Sequence, residues 1–84
     1  MEEDANELIT NIDKIHTTEL GLLRIQKNLE LNNINVLTFC KDIVRNKKSI
    51  ITSRGKNWYI RLNFIILTIN RYSYTIITAH KTKE

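Results

Sequence analysis

The chain has no proline, two glycines, one cysteine and one tryptophan in 84 residues. The lone thiol, Cys40, has no partner for an internal disulfide, and it excludes zinc sites that need two to four thiolates. Its longest nearly apolar runs, such as that around 64–67, fall far short of the roughly 20 residues a membrane-spanning helix needs. No glycine-rich phosphate loop is present, which excludes P-loop nucleotide hydrolysis. The two histidines stand 64 positions apart with no HxxxH pattern, so neither a metal nor a cofactor is expected. The opening Met1-Glu2-Glu3-Asp4 is acidic and lacks an apolar segment, so the expectation is a cytoplasmic protein without a signal peptide or a membrane. One domain, 1–84, is expected; a chain this short buries only about 60–65% of its unfolded surface. That size excludes a large multi-cofactor enzyme.

What is present is polarised charge. Residues 1–31 hold seven acids and three bases, a net −4, while residues 32–84 hold two acids and ten bases, a net +8. A basic half of this kind suits a polyanion such as RNA or DNA, although it also serves simply as a solubilising surface.

The hydrophobic period changes once along the chain. Leu8, Ile9, Ile12 and Ile15 share one helical face, and the spacing of Asp4 and Glu7 resembles a capping box, so a helix is predicted over about 5–15. Thr17 or Thr18 starts a second helix with Leu22, Ile25 and Leu29 as its stripe, and Asn32-Asn33 ends it. A third helix is predicted over about 35–46, with Val36, Cys40, Ile43 and Val44 inward. After Lys48 β-branched residues dominate. Strands are expected at 49–53, 58–63, 64–69 and 72–79, joined by a Gly55 hairpin, a break near Asn63 and a two-residue turn at Asn70-Arg71. The fold class is α+β: a helical part, 5–46, followed by a four-stranded antiparallel meander, 49–80. Arg61, Asn63, Thr68 and Ser73 suggest that one sheet face is partly open.

Several segments carry a resemblance. His16-Thr17-Thr18-Glu19-Leu20-Gly21, Arg24-Ile25, Arg54-Gly55-Lys56-Asn57-Trp58-Tyr59 and the stretch from Tyr74 to Lys81 resemble a family of small bacterial proteins, mostly from Firmicutes, known only as a domain of unknown function. That resemblance spans roughly residues 12–81 and implies no activity. The order of helices then a four-stranded sheet is also similar to RelE-type toxins, barnase-like nucleases and colicin-type tRNases. That likeness implies a helical histidine, an arginine about eight residues on and a threonine on the last strand, here His16, Arg24 and Thr78.

Metal-independent RNA cleavage needs a base, an acid and cations around the phosphorane. His16 and His80 suit the proton roles, and they would meet if the last strand lay beside the helical junction. Arg24 and Thr78 complete the candidate catalytic set, and Lys47, Lys48, Arg54, Lys56 and Arg61 the candidate phosphate surface. Plainer roles compete. His16 caps a helix, His80 belongs to an exposed tail, Arg24 pairs with Glu19, Trp58 is core and Cys40 is a buried inert thiol. Two functions stay open. One is a nucleic-acid-directed module of toxin-nuclease type, with RNA the favoured partner. The other is a non-catalytic phage or mobile-element inhibitor or adaptor that docks on a larger protein or nucleoprotein complex.

Overall fold

The computed structural model describes residues 2–32 and 34–82, with side chains from residue 6 onward. Three helices, α1 (Glu2–Thr10), α2 (Glu19–Leu29) and α3 (Val36–Arg45), precede four strands, β1 (Ile50–Arg54), β2 (Asn57–Leu62), β3 (Ile65–Asn70) and β4 (Ile76–Lys81). The strands form one antiparallel sheet in the order β1-β2-β3-β4, so the α+β architecture follows the change of period near Lys48. Among the described residues no helix is long and apolar enough to cross a membrane.

Helix ends follow local chemistry. Thr18 caps α2 by accepting from the Gly21 N–H, and Asn35 caps α3 by accepting from the Thr38 N–H. A methyl on Gly21 would run into the Thr17 hydroxyl, which itself donates to the Ile76 carbonyl. The first helix is shorter than its apolar spacing predicts. It runs from Glu2 and stops at Thr10, and a 3-10 turn over Ile12–Lys14 follows. Asn11 ends it, because its amide side chain bonds the Glu7 carbonyl that its own N–H also uses. Leu8 and Ile15 reach the core, but Ile9 stays largely exposed. Asp4 lies inside α1 rather than at its cap; its side chain, like Asn33, is outside the described residues.

The last strand is also shorter than its sequence pattern predicts. β4 begins at Ile76, not Tyr72, because Asn70 folds the chain back on itself. Its side-chain oxygen accepts from the N–H groups of Tyr72 and Ser73 and from the Ser73 hydroxyl. Tyr74 then takes φ = 62°, and its ring is buried against Trp58 at 5.3 Å between centroids. The β1–β2 hairpin places Gly55 at φ = 59°, where a Cβ would strain the backbone.

The core lies between the helices and one sheet face. Ile25 and Leu29 of α2 and Cys40, Ile43 and Val44 of α3 pack with Trp58, Ile60, Leu67, Ile69, Ile76 and Ala79. The β4 edge is closed by the helical half. His16 makes a parallel bridge to Thr75, and Asn28 donates to the Ala79 carbonyl. Among the described residues no helix packs on the opposite sheet face, where Ile50, Thr52, Arg54, Arg61 and His80 are exposed.

Candidate nucleic-acid interface

Strand register builds the uncovered face row by row. Because alternate residues share a face, directly paired residues line up across the sheet. One row is Ile50–Arg61–Ile66–His80. The next is Thr52–Tyr59–Thr68–Thr78, and beyond it Arg54–Asn57–Asn70. Ile50, Arg61, His80, Thr52 and Arg54 are exposed, and Tyr59, Ile66 and Thr78 half-buried. A β-bulge between the second row and the Ile69–Ile76 pair leaves Ile77 unpaired and exposed.

The five candidate phosphate-binding cations frame this face instead of clustering. Lys47 and Lys48 precede β1, while Arg54 and Lys56 lie at its other end, with β1 of about 13 Å between them. Arg61 stands on the face itself, in the row at the Lys48 end. Arg71 joins the Arg54 end, since its N–H donates to the Lys56 carbonyl at 2.8 Å. Arg45 of α3 is paired with Asp42, but from residue 46 to residue 83 the chain has eight bases and no carboxylate, so no acid within the sheet half neutralises this surface. Glu30, the C-cap of α2, reaches across to Lys81 at 3.8 Å.

The four candidate catalytic residues do not meet at one point. His16 lies at the Thr75 end of β4. Its Nδ1 donates to the Lys14 carbonyl at 2.8 Å, and its Nε2 shares a hydrogen bond with the Thr75 hydroxyl at 3.1 Å. His80 pairs with Ile66 at the other end, five residues or about 16 Å along the strand. Thr78 sits between them on the open face, opposite Thr68. Arg24 lies on the α2 face of Gly21 and Asn28, and Asn28 bonds the β4 edge, as does Thr17 ahead of the helix. An acid and a base on opposite sides of one phosphodiester are therefore not assembled from the two histidines. Helix capping at the junction is done by Thr18, not His16. Trp58 and Cys40 are fully buried, as their apolar settings predict.

Sequence reasoning passed over Phe64, which is 54% exposed in the β2–β3 turn; its signal was an aromatic residue directly after a turn asparagine. One groove is remote from the sheet face. It lies between α2 and α3, holds about 650 Å³ and is lined by Leu22, Leu23, Val36 and Leu37, with Glu19 at its rim.

A family model described as "Protein of unknown function (DUF3781)" matches residues 9–80. No curated protein and no solved structure matches the chain.

Proposed function

We propose that this chain, which belongs to the DUF3781 family of unknown function, works as a nucleic-acid-binding module that takes RNA on the uncovered face of its sheet. The observation that carries this reading is a sheet half with eight bases and no acid from residue 46 to residue 83, presented beside a face on which no helix packs among the described residues. Lys47, Lys48, Arg54, Lys56 and Arg61 supply the phosphate contacts, each releasing condensed counterions. The resemblance of its element order to toxin ribonucleases is the reason RNA is named as the polymer. The separation of His16 from His80 favours binding over cleavage.

Salt titration of binding to labelled RNA tests the proposal. Five phosphate contacts on a single strand correspond to a slope of log K against log salt near −3.5. No binding at low salt would sink it. A second reading, docking on a larger protein, would then lead, because the α2–α3 groove stands beside exposed Leu20, Leu23 and Ile34.

A further inference from the structure

From the order of side chains along the open face, we infer that the nucleic acid is bound as a single strand, with bases stacked on Phe64 and Tyr59. This deepens the RNA-binding reading and rests on it. The Phe64 carbonyl accepts from the Thr82 N–H, so Phe64 continues the β3–β4 ladder one row beyond Ile66 and His80. That bond extends the pairing one residue past β3, so Phe64 falls in register on the face of Ile66 and Thr68, and its ring is exposed there.

Four successive rows then present Phe64, Arg61 with His80, Tyr59, and Arg54. Adjacent rows are two residues apart, about 6.7 Å. Aromatic and cationic groups therefore alternate, which is the pattern that stacked bases and intervening phosphates of an extended strand require. Asn57 donates to the Tyr59 hydroxyl, which holds that ring in place beside the Thr68 row. The face is four strands wide, about 14 Å between its outer strands, so it does not fit the roughly 12 Å major groove of a B-form duplex. A-form RNA has a still less accessible major groove. A single strand has no such constraint, and every base has a π-face for Phe64 to meet.

The test compares a labelled oligouridylate of roughly eight nucleotides, within the usual site size for such platforms, with a perfectly paired RNA duplex of equal charge. Wild-type protein binds the single strand more tightly. Phe64→Ala weakens single-strand binding by roughly fivefold to a hundredfold, the usual loss for one stacked base, and leaves duplex affinity, salt slope and thermal midpoint unchanged. Phe64→Trp restores the affinity. Equal affinity for single strand and duplex, or an unaffected Phe64→Ala variant, overturns the stacking inference while a steep salt slope keeps the RNA reading. Absence of binding to either probe at low salt overturns both together.

Discussion

Cys40 shows what burial does to a single titratable group. It is fully buried, and desolvation pushes its thiol from 9.0 up to about 12. The native thiol keeps its proton between those values, while the unfolded chain has already lost it. The unfolded state therefore binds fewer protons there, and stability falls as pH rises from about 9 to about 12, by up to about 1.4 kcal/mol per pH unit. Burial, and then the Glu7 carboxylate beside its hydroxyl, hold Tyr74 above its ordinary range and add to the same alkaline loss. Denaturant titrations across that window should show the slope, and Cys40→Ala should flatten it. His16 leads to a different expectation. Both its ring nitrogens are engaged, by the Lys14 carbonyl and the Thr75 hydroxyl, on a bridge that seals the β4 edge. His16→Ala should cost about 1 kcal/mol on thermal unfolding, the usual value of such a hydrogen bond. Wild type and variant should both leave tRNA intact in EDTA. Cleavage by the wild type that vanishes in the variant would reinstate the endonuclease reading.

Among the elements, the β3–β4 connection departs most from its sequence pattern. Tyr72, Tyr74 and Ile76 alternate like a strand, yet the chain turns through 71–75. Three donors converge on the Asn70 side-chain oxygen, and Tyr74 trades an extended backbone for a ring packed on Trp58 and faced by the Lys14 ammonium at 5.6 Å. Asn70→Ala should therefore cost about 2 kcal/mol, visible as a fall of roughly 8–16 °C in the melting midpoint of a domain this size. An unchanged midpoint would mean the turn holds without that oxygen. The α2 and α3 boundaries were legible within a residue or two, because Thr18 and Asn35 are strong caps before amphipathic stripes. The end of α1 was not, since Asn11 competes for the Glu7 carbonyl inside a pattern that stays apolar through Ile15.

On the scale of the whole molecule, the acidic and basic halves become two sides of one small body. Core packing sets α2 and α3 over one sheet face and leaves the other to the basic half. Because the cations lie at both ends of β1, with Arg61 on the face at the Lys48 end, their effects on RNA binding should add. Arg61→Ala and Lys56→Ala should each reduce the salt slope by about 0.7, and the double variant by about twice that. A loss confined to one end, read by the same salt titration, would shrink the interface to that end. The α+β class, the antiparallel meander, the core residues and the charge asymmetry were all written in residue order, because period, propensity and charge are properties of neighbours along the chain. Which candidates stand together was decided by strand register and by closure of the β4 edge. Those two separate His16 from His80 and carry Phe64, Arg61, Tyr59 and Arg54 onto successive rows. Pairing between strands joins residues distant in sequence, and a shift of one residue would move every side chain to the other face, so no local pattern could supply that arrangement.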